Sequence, residues 1–249
     1  EGAHEAWLKS GTKMLDRADS GRDDVTLDLG RNAHRWTTVV AVLGLLLAAG
    51  PARAVSFEVR VEEADGRPLV GAVVTLSAQD ATRQPAPAVT AVIDQIDRTF
   101  VPDVVVIPVG SRVTFPNSDS ISHQVYSFSP IRKFQLPLYR GKAHPPVQFD
   151  QPGVATLGCN IHDEMRAYVV VTDGQHYGRS DGRGVWRAPD VVPGEYTLRI
   201  WHPRLREPGG LTERVLRIGD AAATSLVVRA ADALRPAPRA AKPATWDAY

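Results

Sequence analysis

Three residue types that bind soft metal ions lie together in one short segment of the chain. Cys159, His162 and Met165 follow the spacing Cys-x-x-His-x-x-Met. A thiolate, an imidazole and a thioether suit copper in both oxidation states when a second imidazole completes a trigonal His-His-Cys set and the thioether is a weak axial ligand. That imidazole must come from another strand, and His123, which follows the apolar run ending at Phe115, is the best candidate. The residue types therefore predict a copper site.

Two other interpretations of these residues stay open. A lone cysteine in a β-protein is often a small buried hydrophobic residue, a methionine often fills a gap in the core, and a histidine is often solvated. Zinc would accept Cys159 and the two histidines, but a thioether is a poor zinc ligand, so Asp163 or Glu164 would have to supply the fourth ligand. The combined spacing favours copper over both interpretations.

Short strands must position these side chains. After residue 55, apolar runs alternate with turns rich in Gly, Pro and Asn, which is typical of β-sandwiches and barrels, and no stretch shows sustained helical periodicity. The predicted strands are 57–61, 72–76, 104–107, 112–115, 154–157, 168–171, 196–200 and 225–228. The first two are joined by an Asp65-Gly66 turn, so we expect a hairpin there. We expect residues 158–165 to form a tight loop at one end of a barrel.

The landmarks of residues 89–172 resemble a plastocyanin-like cupredoxin. They are Phe100-x-Pro102, Gly110, Val113-Thr114-Phe115-x-Asn117, His123, Pro152-Gly153 and the Cys159 loop, whose length resembles that of amicyanin. The runs Val125–Pro130 and Cys159–His162 further resemble bacterial envelope proteins labelled methylamine-utilisation proteins. The resemblance implies a Greek-key barrel with one type 1 (blue) copper ion. It makes His123, Cys159 and His162 the equatorial ligands, Met165 the axial ligand, and His162 the residue that passes the electron.

Two residues depart from the cupredoxin pattern. Many cupredoxins have an Asn directly after the first His ligand, where it braces the cysteine loop, whereas this chain has Gln124. Glu164 places a carboxylate where the related group is expected to have an aromatic or small residue. We expect it to lie near the metal, where it would tune the reduction potential or the choice of partner.

The segments on either side of this region resemble the carboxypeptidase regulatory-like β-sandwich, which is related to transthyretin. Residues 55–88 and 173–230 both contain strand and turn patterns with Asp-Gly or Pro-Gly. The fold class that follows is all-β, with the Greek-key cupredoxin barrel or sandwich inserted in, or packed beside, a second small β-sandwich. In the inserted form, residues 55–88 pair with 173–230, and strand 57–61 shares a sheet with strand 196–200. The alternative is that residues 55–76 only supply edge strands to one enlarged sandwich.

Residues 31–54 have the features of a signal peptide. Arg31 and Arg35 precede an apolar run from Val39 to Ala49, and the chain then reaches the small-x-small pattern that ends at Ala54. The run is too short for a transmembrane helix of roughly 20 residues. We therefore expect cleavage near Ala54, a periplasmic location, and no stable membrane insertion afterwards.

The two ends of the chain are expected to lie outside the folded domains. Residues 1–54 would be an N-terminal extension plus the signal peptide, and residues 231–249, rich in Pro and Ala, a disordered tail.

Composition and the remaining residues narrow the function. Lys and Arg number 29 and Asp and Glu 28, so no excess charge favours nucleic acid, and the one cysteine excludes an internal disulfide framework. No Ser-His-Asp set, paired carboxylates or phosphate loop is evident, so we do not expect an enzyme. The first hypothesis is a monomeric single-electron carrier that meets a redox partner protein. The second is an envelope module that binds protein or carbohydrate, in which copper is stored, sensed or structural.

Overall fold

The computed structural model describes residues 54–80, 82–141, 144–207, 210–220 and 223–236, and almost all of their regular structure is β-strand. The strands, numbered in chain order, are β1 (Val55–Glu62), β2 (Val73–Ala78), β3 (Thr90–Val92), β4 (Asp94–Ile96), β5 (Thr99–Val101), β6 (Val104–Pro108), β7 (Ser111–Thr114), β8 (Tyr126–Ser127), β9 (Phe134–Gln135), β10 (Val147–Phe149), β11 (Gly153–Cys159), β12 (His162–Thr172), β13 (His176–Arg179), β14 (Val185–Val191), β15 (Gly194–Trp201), β16 (Leu211–Ile218) and β17 (Ala223–Arg229). The predicted fold class, an all-β chain with two β-sandwiches, is confirmed.

Two sheets from the two ends of the described chain form what we call the flanking sandwich. One sheet has the order β14-β1-β17 and the other β13-β2-β15-β16. β1 alternates buried and less buried residues, as a strand does when one face covers a core. β2 is buried along nearly its whole length, because Val74 and Leu76 face the core of this sandwich while Val73 joins a separate apolar cluster. β1 alternates because only one of its faces is buried, whereas β2 does not alternate because both of its faces are buried.

The hairpin predicted for the first two strands is wrong. β1 pairs with β14 and β17, whereas β2 pairs with β13 and β15, so the two strands lie in opposite sheets. The connection carries the buried Leu69 into the core, which takes the chain across the edge of the sandwich. Both strands can then bury an apolar face against the same core. The sequence pattern identified the strands but not their partners.

The expectation that strand 57–61 shares a sheet with strand 196–200 is also wrong. β1 and β15 face each other across the core, where Phe57 and Tyr196 belong to one buried cluster. The partners of β1 and β2 nevertheless all come from residues 173–230. The proposed domain boundaries, 55–88 with 173–230 around 89–172, stay a prediction.

The strands between β2 and β13 form what we call the metal-site sandwich. Its larger sheet has the order β6-β12-β11-β8-β9, its smaller sheet has the order β10-β7-β3, and β4 and β5 form a two-stranded hairpin. The core between them is a cluster that contains Phe115, Phe149, Leu157, Cys159 and Met165. Two of the predicted metal-binding residues therefore belong to the main apolar core of this sandwich.

A small apolar cluster joins the two sandwiches. Val104 and Val170 from the metal-site sandwich pack with Val73 and Trp201 from the flanking sandwich. The ring of Trp201 also lies 5.1 Å, centroid to centroid, from the ring of Tyr168 on β12. β12 is thus covered on both faces over its last residues, which explains why the second half of this strand is almost continuously apolar.

The predicted signal peptide and its cleavage site fall on residues up to Ala54 and lie outside the described residues, except for Ala54 itself. Within the described part of the chain, we find no helix with the length and hydropathy of a membrane span. Of the predicted tail, residues 231–236 are described. There Leu234 packs against the flanking core, and the Arg235 N–H donates to the Arg204 carbonyl. Ordered contacts therefore extend beyond residue 230, and residues 237–249 lie outside the described residues.

Candidate metal centre

Cys159 and His162 lie opposite each other at the ends of two paired strands. β11 ends at Cys159, β12 begins at His162, and only Asn160 and Ile161 lie between them. The loop predicted for residues 158–165 is therefore wrong, because both strands continue further than their apolar runs. Cys159, at the last position of β11, and His162, at the first of β12, are paired across this turn.

A shift of register brings Met165 toward the same end of the sandwich. Gly158 pairs with Arg166, but the next residue, Cys159, pairs with His162, so residues 163–165 are extra on β12. Such a bulge changes the direction in which the following side chain points. Met165 is only 2% exposed, in the same cluster as Cys159. Asp163 and Glu164 are exposed.

Backbone contacts hold His123 beside this turn. The His123 N–H donates to the Tyr139 carbonyl at 2.9 Å, and the Tyr139 N–H donates back to the His123 carbonyl at 3.0 Å. The Asn117 amide donates to the same Tyr139 carbonyl at 2.8 Å and to the Ile121 carbonyl at 3.0 Å. His123 is fully buried, at 0% exposure, so its ring is surrounded by protein atoms.

Tyr139 is itself held from the inside of the sandwich. Its hydroxyl donates to the Phe115 carbonyl at 2.5 Å and accepts from the Gln95 amide at 2.6 Å. Burial, as the main cause, raises the pKa of Tyr139 to about 12. The phenol therefore stays neutral and keeps its hydrogen bonds throughout the ordinary pH range.

Three donor atoms converge. The Nδ1 atoms of His123 and His162 lie 3.2 Å apart, and the Cys159 Sγ atom lies 4.0 Å from the first and 3.8 Å from the second. The point equidistant from these three atoms is about 2.1 Å from each, which is close to ordinary metal–nitrogen and metal–thiolate bond lengths of about 2.0–2.3 Å. One ion fits among them without movement of the backbone.

The chemistry of the neighbouring groups favours copper over zinc. His123, Cys159 and His162 form a group that could hold a metal ion, and neither Asp163 nor Glu164 belongs to it. Both carboxylates are exposed, while the buried side chain at this end is the thioether of Met165. Thioether and thiolate ligands favour copper, and a closed zinc site would need a fourth nitrogen, oxygen or thiolate ligand. The donor set fits the copper ion that the sequence predicts, and Met165 as a ligand stays a prediction.

The two histidines differ in their access to solvent. His162 is half-buried, and its neighbour Ile161 is 52% exposed. Burial, followed by the proximity of His123, holds the pKa of His162 below its ordinary value. A neutral imidazole offers a lone pair at one ring nitrogen, as metal binding requires. His162 is thus both a suitable ligand and the one whose ring approaches the surface.

A carboxylate missed by the sequence analysis contacts the buried histidine. Asp119 Oδ2 lies 2.8 Å from His123 Nε2 and also accepts the Arg98 N–H at 2.9 Å. Burial opposes ionisation of this carboxyl, but the hydrogen bonds from His123, Arg98 and Ser120 outweigh it and lower the pKa of Asp119 to about 2. Only its position four residues before His123 in a polar loop could have indicated Asp119, and ordinary surface turns share that pattern.

The two departures from the cupredoxin pattern have different outcomes. The Gln124 amide donates to the Leu136 carbonyl at 2.9 Å, a contact with the strand connection rather than with the cysteine turn. Asn117 instead organises the His123 loop, and its Oδ1 accepts the Asp119 N–H at 3.0 Å. Glu164 is exposed, so its proposed influence on potential or partner stays a prediction.

A cavity of about 480 Å³ lies beside the candidate metal centre. Cys159 and Met165 line it from the metal-site sandwich, and Trp201 and Pro203 line it from the flanking sandwich. The cavity is therefore bounded by residues of both sandwiches.

Comparisons with known proteins give matches among solved structures. No protein-family model matches the chain, and no curated protein matches it significantly. A purple cupredoxin from Nitrosopumilus maritimus is 26% identical over 33% of this chain and 99% of its own, with a TM-score of 0.31. Amicyanin from Paracoccus versutus is 20% identical over 39% of this chain and 98% of its own, with a TM-score of 0.30. A copper-containing nitrite reductase from Thermus scotoductus is 21% identical over 45% of this chain and 28% of its own, with a TM-score of 0.32.

Proposed function

We propose that this chain is an exported periplasmic protein that binds one copper ion in a type 1 site and carries single electrons. His123, Cys159 and His162 would be the equatorial ligands and Met165 the axial ligand. The observation that carries the proposal is the convergence of two Nδ1 atoms and one Sγ atom at mutual distances of 3.2, 3.8 and 4.0 Å beside a buried methionine. The protein would act as a monomer that meets a redox partner protein, and it would not be an enzyme.

The chain's own residues supply rigidity and a route to the surface. His123 and Cys159 are buried and held by backbone pairing, so their donor atoms are expected to move little when the charge of a bound copper ion changes. Bound copper would supply the one-electron couple, and a fixed ligand set keeps the reorganisation on each transfer small. The half-buried His162 and the exposed Ile161 give a partner access to the site.

The first test adds Cu(II) to the protein without its signal peptide. We expect one equivalent of copper to produce an intense blue colour that ascorbate bleaches, because a thiolate bound to Cu(II) gives a strong charge-transfer absorption. Cys159→Ala should abolish the colour. His176→Gln is the matched control, because His176 lies on β13 of the flanking sandwich and outside the donor group.

Two results would contradict the proposal. One is a colourless copper complex of the wild-type protein, and the other is a blue colour that persists in Cys159→Ala. Loss of colour in His176→Gln would show that the assay reports general damage rather than loss of a ligand.

A second candidate function rests on the cavity beside Cys159 and Met165. A cavity bounded by both sandwiches would suit an envelope module in which copper is stored, sensed or structural and the second sandwich binds protein or carbohydrate. This alternative predicts that ascorbate does not cycle the bound copper reversibly. Repeated reduction and reoxidation followed by absorbance therefore distinguishes the two functions.

A further inference from the structure

The copper proposal leaves unused a contact between Asp119 and His123 at the candidate metal centre. The Asp119 Oδ2 and His123 Nε2 atoms are 2.8 Å apart, the His123 ring is fully buried, and the Asp119 side chain is 10% exposed. A carboxylate oxygen at this distance accepts a hydrogen bond from a protonated ring nitrogen. The proton of a neutral His123 ring is therefore expected on Nε2.

The position of that proton decides which ring nitrogen can bind a metal. With a proton on Nε2, the lone pair is on Nδ1, which is the atom that faces Cys159 Sγ at 4.0 Å and His162 Nδ1 at 3.2 Å. We propose that Asp119 is a positioning residue that fixes the tautomer and orientation of His123 and lowers the reduction potential of the copper site. The proposal rests on the copper function proposed above.

The carboxylate is held in place independently of the histidine. Its Oδ2 accepts the Arg98 N–H at 2.9 Å and its Oδ1 accepts the Ser120 N–H at 2.7 Å. Arg98 and its neighbour Asp97 form the two-residue turn between β4 and β5, and both have a positive φ, 57° and 49° respectively. The N–H group that donates to Asp119 is therefore part of a tight turn with an uncommon backbone conformation.

The charge of Asp119 is expected to favour the oxidised ion. A carboxylate that accepts from a ligating imidazole makes that imidazole a stronger donor, and a negative charge in a poorly solvated place stabilises Cu(II) more than Cu(I). Loss of such a partner typically weakens metal binding about 10- to 100-fold. If only the affinity for Cu(II) falls, the reduction potential rises by about 59 mV for each tenfold loss of affinity. A 10- to 100-fold loss therefore corresponds to a rise of roughly 60–120 mV.

The first experiment needs no copper. Nitrogen NMR of the metal-free wild-type protein at mildly alkaline pH reports which nitrogen of His123 is protonated. We expect Nε2–H in the wild type, and in Asp119→Ala a mixture of tautomers. A proton on Nδ1 of the wild-type ring would overturn the proposal, and this measurement stands even if the variant does not fold.

The second experiment measures the reduction potential of copper-loaded Asp119→Asn by voltammetry. The matched control is Asp163→Asn, which removes the same charge from an exposed residue next to His162. We expect a rise of at least about 60 mV in the first variant relative to the second, equivalent to a tenfold change in relative affinity. Equal shifts in the two variants would overturn the proposal.

The two experiments separate this proposal from the function on which it rests. If the wild-type protein forms no blue copper complex, the copper function fails, while the tautomer of His123 still tests the role of Asp119. If the blue complex forms but the potential of Asp119→Asn matches its control, only the role of Asp119 fails.

Discussion

At the scale of single residues, the four candidate ligands differ in burial and in their expected strength as donors. His123 and Cys159 are held at the core, and His162 lies at the border of the solvent. Met165 differs from these three because its contribution as a weak axial ligand would affect the electronic properties of the site more than its assembly. A substitution that keeps its volume should therefore separate the two effects.

Met165→Leu tests this separation. We expect the variant to bind copper and to lose less than about 1.5 kcal/mol of unfolding free energy, because the two side chains have similar volumes. Removal of the thioether withdraws an electron donor from the oxidised ion, so the potential should rise by roughly 60 mV, a tenfold shift in relative affinity. Voltammetry and urea unfolding measure the two quantities. An unchanged potential would remove Met165 from the ligand set.

The candidate ligands were easier to find in the sequence than the residues that hold them in place. Cys159, His162 and Met165 stand out because their types and spacing are rare together, and His123 follows from the need for a second imidazole. Asp119 and Tyr139 could not be found in this way. Their roles arise from contacts across the fold, to Arg98 in one case and to Phe115 and Gln95 in the other. Nothing in their local sequence distinguishes them from residues of an ordinary loop.

At the scale of elements, the end of β11 is shaped by a close approach between strands. Gly158 pairs with Tyr126 of β8, and a Cβ atom at Gly158 would lie 2.7 Å from the Tyr126 ring and hydroxyl. Gly158 directly precedes Cys159, so a larger residue would disturb both the sheet and the donor atom. The glycine is required here for space rather than for an unusual backbone angle.

Gly158→Ala should therefore destabilise the protein by about 1–3 kcal/mol and shift the blue absorption band. Gly182→Ala is the control, because a Cβ atom there would meet no atom within 4 Å. Combining Gly158→Ala with Tyr126→Ala should recover part of the loss, because the second change removes the ring that collides. Urea unfolding of the wild type, the two single variants at Gly158 and Tyr126, and the double variant measures the coupling free energy. Strictly additive losses of unfolding free energy would contradict the proposed contact.

The positions of the strands were more predictable than their pairing. The apolar runs in β6, β12 and β15 identify strands, because a buried face leaves a pattern in the sequence. The partners of β1 and β2 depend instead on which core each strand shares, and this is a property of the whole sandwich. The bulge at residues 163–165 could not be predicted either, because no amino-acid pattern is specific to a shift of register.

At the scale of the whole molecule, the two sandwiches share Trp201. Its ring is buried with Val104 and Val170 of the metal-site sandwich, and it lies beside Tyr168. The flanking sandwich thereby covers one face of the second half of β12, the strand that begins with His162. The stability of the candidate metal centre should consequently depend on a residue outside its own sandwich.

Trp201→Ala should lower the unfolding free energy by about 3–5 kcal/mol and separate the unfolding of the two sandwiches. Trp186→Ala is the matched control, because Trp186 is buried in the flanking core alone. Copper absorbance reports the metal-site sandwich, and circular dichroism reports the whole chain. We expect the two transitions to diverge in the first variant and not in the second. Coincident transitions in Trp201→Ala would contradict the coupling.

The adjacency of β2 and β13 also bears on how the chain reaches its native state. β2 ends at Ala78 and β13 begins at His176, yet the two strands pair directly, and Gln175 bonds to both Ala78 and Arg83. Closing so long a loop before its interior is ordered costs chain entropy that grows with loop length. Prior folding of the intervening residues would hold the ends of the loop near each other and reduce that cost. The flanking sandwich is therefore expected to assemble last. Its formation would then indicate that the segment with the candidate metal ligands is already folded.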